Sequence, residues 1–124
     1  MLGEETIEKW RSEDPLYVSA LAVTEAGRVI DRLRHDGRID DETVATLHDD
    51  ARTIFEHTHI VDLSNEILAR AAGPFPTVLR TLDAIHVSTA LAIGAELEEP
   101  VTLFTHDKQQ ALAARALGLR IRGI

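Results

Sequence analysis

The segment that most constrains the fold is residues 79–94, LRTLDAIHVSTALAIG, which is apolar on more than one side of a predicted helix. At about 100° per residue, Asp83 shares a face with Val87, whereas a second apolar strip runs through Leu82 and Ile85. A helix that is apolar on two sides is buried inside a domain. Burying a carboxylate in such a helix costs free energy unless a cation, a base or backbone N–H donors pair with it. Asp83 is therefore the first candidate functional residue.

Length and composition indicate a folded globular protein. The chain has 124 residues, of which 44% are hydrophobic and 27% charged, and we predict a single domain over residues 1–124. No apolar run approaches the roughly 20 residues of a membrane span. The absence of cysteine excludes disulfides and thiolate metal sites. These features favour a cytoplasmic protein.

The charge balance limits where a polyanion can bind to the protein. Twenty-one acidic residues against 13 basic ones give a formal charge of −8, so RNA or DNA would need a local basic patch. Two groups of arginines are candidates, each more typical of a solvated face than of a binding site: Arg28, Arg32, Arg34 and Arg38, and Arg115, Arg120 and Arg122.

Predicted strands and helices alternate along the chain. Short apolar runs predict strands at residues 16–19, 59–62, 101–105 and 119–122. Capped or amphipathic segments predict helices at residues 4–12, 20–35, 41–57, 64–72, 79–94 and 107–117. Ser19 and Ser64 are expected N-caps, and Gly37, Gly94 and Gly118 are expected stops. The alternation predicts an α/β fold with a mainly parallel sheet covered by helices on both faces.

Three acids lie near the carboxyl ends of predicted strands, where the binding sites of open α/β sheets are found. Glu25 follows the first strand, Asp107 follows the third, and Asp83 begins the helix before that third strand, with Thr105 at the strand end. Carboxylates without His or Cys partners are the ligand set of Mg²⁺ or Mn²⁺. Such a cation polarises a phosphoryl oxygen and activates water, which indicates metal-assisted phosphodiester hydrolysis.

Each of these acids also has a purely structural interpretation. Asp107 fits an ordinary helix N-cap, and Glu25 fits an ion pair with Arg28 three residues later. Asp83 fits a first-turn acid stabilised by the helix dipole, with Arg80 beside it. From the residues alone, the conclusion is a candidate divalent-metal site.

Three segments carry a resemblance to a known family. They are SALAVTEAGRVI around Glu25, LRTLDAIHVSTAL around Asp83, and LFTHDKQQALAARALGL around Thr105 and Asp107. The sequence resembles a PIN-domain ribonuclease, specifically the VapC-like toxin of a type II toxin–antitoxin pair. The resemblance covers essentially the whole chain.

The resemblance implies a three-layer α/β/α fold and a Mg²⁺- or Mn²⁺-dependent endoribonuclease. It implies Glu25, Asp83 and Asp107 as metal ligands and catalytic acids, with Thr105 as an orienting residue. Arg80 and the group Arg28–Arg38 are the nearest candidates for contact with the RNA backbone. Family members cleave RNA, often tRNA or rRNA, usually form homodimers and are silenced by a cognate antitoxin.

One departure from the family pattern affects the expected activity. The family opens with an apolar strand ending in Asp-Thr or Asp-Ser, whereas residues 1–5, MLGEE, resemble the segment that follows that strand. We therefore expect the first central strand and its acid to be missing, at most three protein carboxylates around the cation, and low nuclease activity. The alternative is a non-catalytic PIN-like module that binds an antitoxin or another protomer. A third interpretation is a plain α/β domain whose acids serve only as caps.

Overall fold

The computed structural model describes residues 15–124, and the predicted helix at residues 4–12 lies outside them. The elements in order are β1 (Tyr17–Ser19), α1 (Ala20–His35), α2 (Asp41–Glu56), β2 (His59–Val61), α3 (Asn65–Ala71), α4 (Thr81–Leu97), β3 (Thr102–Phe104), α5 (Lys108–Ala116) and β4 (Arg120–Arg122). Each of these elements has the type predicted from the sequence. No helix within residues 15–124 has the length and apolar content needed to cross a membrane.

The chain divides into two compact units, whose described parts are residues 15–62 and 63–124. In the first unit, β1 and β2 pair in parallel, with Tyr17 opposite His59 and Ser19 opposite Val61. Helix α1 packs against β1 and α2. A parallel pair requires a long crossover between its strands, and α1 and α2 supply it.

The second unit is built around α4, which packs against α3, α5 and β3. Strands β3 and β4 pair in parallel, with Thr102 opposite Arg120 and Phe104 opposite Arg122. The buried core consists of Val87, Ala90, Ala114 and Leu119, with Phe75, Leu79, Leu91, Val101, Leu103 and Ile121 packed against it. The sequence correctly predicted α4 as the most buried helix.

The strands are parallel, as the sequence predicted for an α/β fold. Within residues 15–124 they form two two-stranded sheets, β1 with β2 and β3 with β4. Each pair therefore arises from one crossover, and each lies inside one unit.

Local capping signals explain most of the helix boundaries. The Ser19 hydroxyl accepts a hydrogen bond from the Leu21 N–H at 3.1 Å, and the Ser64 hydroxyl accepts one from the Ile67 N–H at 3.2 Å. Gly37 and Gly118 follow their helices with φ of 71° and 92°. Both caps and both stops were predicted, because each depends on neighbouring residues alone.

The end of α4 differs from the prediction. The helix was expected to stop at Gly94 but continues to Leu97, and Glu98 follows it with φ 57°. The Glu99 N–H donates to the Gly94 carbonyl at 3.1 Å, and a Cβ at Gly94 would lie 3.0 Å from the Glu99 carbonyl oxygen. Gly94 therefore allows the following turn to fold closely against the helix and does not end it.

Candidate functional site

Asp83 lies in the first turn of α4, the most buried helix. Its side chain is half-buried, although the next two residues, Ala84 and Ile85, are buried at 4% and 7% exposure. Its carboxylate forms no hydrogen bond or ion pair with residues 15–124. The exposed backbone N–H groups at the start of a helix favour a negative charge there. Asp83 is thus held in place by its helix, with its carboxylate free to contact a cation.

Asp107 caps α5 through one carboxylate oxygen. Its Oδ1 accepts hydrogen bonds from the backbone N–H groups of Gln109 at 2.8 Å and Gln110 at 3.1 Å. The structural interpretation of Asp107 as an N-cap is therefore correct. The cap uses Oδ1 for both bonds, so Oδ2 can still act as a ligand.

Thr105 holds the loop that carries Asp107. Thr105 is 9% exposed, and its hydroxyl oxygen accepts a hydrogen bond from the Asp107 backbone N–H at 3.0 Å. This bond fixes the turn between β3 and α5. Thr105 therefore orients Asp107 directly, whereas contact with water or phosphate stays a prediction.

Residues at the end of β4 and just after it also contact the loop between β3 and α5. The Thr105 N–H donates to the Arg122 carbonyl at 3.0 Å, and His106 Nδ1 lies 2.7 Å from the Gly123 carbonyl oxygen. Gly123 has φ of 100°, and a Cβ there would lie 2.6 Å from the Thr105 carbonyl oxygen. Only glycine fits this approach. No local sequence pattern indicates His106 or Gly123, because their contact joins segments that are distant in the chain.

Gln110 connects the first turns of α4 and α5. Its backbone N–H donates to the Asp107 carboxylate, and its side-chain Nε2 donates to the Asp83 carbonyl oxygen at 3.3 Å. The second unit therefore brings Asp83, Thr105 and Asp107 into one hydrogen-bonded arrangement. Gln110 was also missed from the sequence, although a glutamine beside a buried alanine face was an available signal.

Glu25 and Arg80 are the remaining residues that the sequence predicted for the site. Glu25 is half-buried in the second turn of α1, in the first unit, so its meeting with the other two acids stays a prediction. Arg80 is exposed at the N-cap position of α4, and its side chain makes no capping bond. It precedes Asp83 by one helical turn, which suits a role in contacting an anionic substrate.

The two arginine groups are exposed. On α1, Arg28 and Arg34 both pair with Asp31, at 3.2 and 2.9 Å, which reduces the positive charge of that group. Arg120 and Arg122 alternate with the half-buried Ile121 on β4. Arg115 lies in the last turn of α5, and no member of either group lies in the first turn of α4 or α5.

The donor set of the second unit suits a hard divalent cation. Asp83 and Asp107 offer carboxylate oxygens, and Mg²⁺ usually binds one or two protein carboxylates while it keeps several waters. Within the described residues, no group of three or more His, Asp or Glu side chains is placed to hold a metal ion. The two acids therefore fit a water-rich Mg²⁺ or Mn²⁺ site better than a closed protein cage.

Comparison with known families identifies the fold. The PIN domain family model matches residues 3–116. This chain belongs to the PIN-domain family. The match confirms the predicted family and its α/β fold class.

A curated relative lies within the same family. The PIN domain is 36% identical over 70 residues to Ribonuclease VapC46 of Mycobacterium tuberculosis (strain ATCC 25618 / H37Rv). The aligned region covers 56% of this chain and 52% of that protein, so the chain spans about half the length of this relative.

Proposed function

We propose that this PIN domain is a VapC-type, metal-dependent endoribonuclease that hydrolyses RNA phosphodiester bonds. Membership of the PIN family and similarity to Ribonuclease VapC46 support this function. The structural observation that carries it is the arrangement of Asp83 and Asp107 at the starts of two packed helices, both hydrogen-bonded to Gln110. Mg²⁺ is commonly bound by one or two protein carboxylates together with several waters, so two neighbouring acids are sufficient for such a site.

The proposed reaction assigns a role to each residue. Asp83 and Asp107 of the second unit would hold Mg²⁺ or Mn²⁺. A divalent cation bound there would supply Lewis acidity, polarising a phosphoryl oxygen and activating water. Water adds to phosphorus, the bond to the leaving ribose oxygen breaks, and that oxygen takes a proton. Thr105 keeps the Asp107 turn in place, and Arg80 contacts the RNA phosphate.

The biological setting of the proposal comes from the VapC resemblance. The RNA substrate is of the tRNA or rRNA class, and a cognate antitoxin silences the enzyme. The active form is a homodimer that acts in the cytoplasm, where these RNAs are found. The similarity to Ribonuclease VapC46 supports the RNA substrate.

Two carboxylate-to-amide variants test the metal site. Asp107→Asn keeps an oxygen that caps α5, and Asp83→Asn keeps the size of its side chain, so both variants are expected to fold. We expect Mn²⁺ to raise the melting temperature of the wild-type protein, and each variant to lose this shift and about 100-fold in RNA cleavage. Glu66→Gln is the matched control, because Glu66 is a first-turn acid of α3.

The same measurements distinguish the competing functions. An unchanged Mn²⁺ shift in Asp83→Asn would show that Asp83 is not a ligand. If Mn²⁺ has no effect on the wild-type protein, the ribonuclease proposal is wrong and the non-catalytic binding module is favoured. If both Asn variants also match the wild type in stability, the acids act only as caps.

A further inference from the structure

We propose that Gln110 is a positioning residue that holds Asp83 and Asp107 at the separation required to share one divalent cation. The proposal rests on the metal-dependent function above and adds a residue to that site. Gln110 does not itself contact the cation or the RNA.

The burial of Gln110 requires an explanation. The residue is 6% exposed, and its neighbours Ala111, Ala113 and Ala114 are buried at 6%, 0% and 0%. A carboxamide taken out of water costs free energy unless it is hydrogen-bonded. An apolar residue would fill this position at lower cost, so the amide is retained for the contact that it makes.

The side-chain contact links two helices. Gln110 Nε2 donates to the Asp83 carbonyl oxygen at 3.3 Å, and because a carbonyl only accepts, the NH₂ group must face α4. In an α-helix that carbonyl already accepts a bond from the N–H four residues later. The glutamine is therefore not needed to satisfy the carbonyl. Its effect is to tie the first turn of α4 to α5.

The backbone of the same residue contacts the second acid. The Gln110 N–H donates to Asp107 Oδ1 at 3.1 Å, so one residue contacts the carboxylate of Asp107 and the backbone of Asp83. Any shift of α5 along α4 would change the separation of the two carboxylates. Mg²⁺ tolerates little such change, because it demands nearly ideal octahedral geometry at about 2.0–2.1 Å. Groups that orient metal ligands typically change metal affinity by about 10- to 100-fold.

The decisive variant is Gln110→Met, which keeps the length of the side chain and removes the amide. We expect its Kd for Mn²⁺, measured by electron paramagnetic resonance of the free ion, to rise by about tenfold. Gln109→Met is the matched control: Gln109 is exposed on the same helix, and its side chain makes no described hydrogen bond. The control should bind Mn²⁺ as the wild type does.

A purely structural role predicts a different pattern. In that case Gln110→Met lowers the melting temperature measured without metal but leaves the Kd of the folded protein for Mn²⁺ unchanged. This result would overturn the positioning role and leave the proposed function standing. If the wild type binds no Mn²⁺, or Asp83→Asn binds it equally well, the proposed function and the positioning role both fail. Gln110→Leu provides the same comparison if the Met variant does not fold.

Discussion

At the scale of single residues, Asp107 combines two roles on one carboxylate. Oδ1 caps α5 with two hydrogen bonds, while Oδ2 remains able to contact a cation. Asp83 differs, because its carboxylate makes no bond with described residues and its position depends on α4 alone. The two acids are therefore expected to respond differently to alanine. Asp107→Ala removes the two capping hydrogen bonds as well as the proposed ligand, whereas Asp83→Ala removes the proposed ligand and a favourable first-turn charge but no hydrogen bond.

Ser88 provides a residue-scale prediction about stability. It is fully buried in α4, and within the described residues its hydroxyl oxygen has no hydrogen-bond partner. An unsatisfied buried hydroxyl is costly, so Ser88→Ala should raise the free energy of unfolding by about 1 kcal/mol in urea denaturation.

The same substitution at Ser64 should have the opposite sign. The Ser64 hydroxyl caps α3, and its loss is expected to lower the free energy of unfolding by about 1 kcal/mol. Equal effects at the two serines would show that the Ser88 hydroxyl has a partner in solution.

At the scale of elements, two helix glycines should respond oppositely to alanine. Gly27 lies inside α1, and a Cβ there would meet nothing within 4 Å, whereas a Cβ at Gly94 would lie 3.0 Å from the Glu99 carbonyl oxygen. Gly27→Ala should therefore raise the free energy of unfolding by about 0.5–1 kcal/mol. Gly94→Ala should lower it by about 1 kcal/mol, because the turn after α4 must move. Urea denaturation followed by circular dichroism measures both, and stabilisation by Gly94→Ala would refute the close approach of that turn.

The N-cap of α2 predicts a pH dependence. Hydrogen bonds from the side chain and the backbone N–H of Thr43 hold the pKa of Asp40 below its ordinary value of 3.8. A depressed pKa stabilises the folded state above the unfolded pKa, and this contribution is lost as the pH falls through the folded pKa.

An asparagine at this position isolates the charge. Asp40→Asn keeps a capping oxygen and does not titrate. The stability difference between wild type and Asp40→Asn should therefore be constant near neutral pH and shift against the wild type below pH 3.8. Urea midpoints recorded across this range test the prediction. A difference that is independent of pH would mean that the Thr43 bonds do not form in solution.

At the scale of the whole molecule, the net charge of −8 restricts how the proposed RNA substrate can approach. Binding must depend on a few local cations, with Arg80 at the start of α4 as the candidate beside the site. Each phosphate contact adds about 0.7 to the slope of log Kd against log salt for a single strand. Arg80→Gln should reduce that slope by about 0.7, as measured by fluorescence anisotropy with an RNA oligonucleotide in EDTA.

A second arginine of the same unit serves as the control. Arg70 is exposed in the last turn of α3, and Arg70→Gln should leave the slope unchanged. Equal reductions in the two variants would indicate diffuse attraction and argue against a defined role for Arg80.

The sequence by itself determined the elements and the first candidate residues. Ser19 and Ser64 predict their caps because the bonds reach only two or three residues along the chain. The two-sided apolar pattern around Asp83 predicts a buried helix because the pattern depends only on helical periodicity. Their places near predicted strand ends added Glu25, Asp107 and Thr105, to which the family resemblance gave roles. The family match over residues 3–116 confirmed the PIN fold.

Only the tertiary structure showed which distant residues of these elements contact each other. The bond from Gln110 to Asp83 spans 27 positions, and the contact of His106 with Gly123 spans 17, so neither leaves a local pattern in the sequence. Gly94 was wrongly predicted to end α4, because glycine occurs both at the ends of helices and where another segment packs closely against a helix. Capping and periodicity are short-range effects that can be read along the chain, whereas close approach and inter-helix bonds depend on the packing of distant segments.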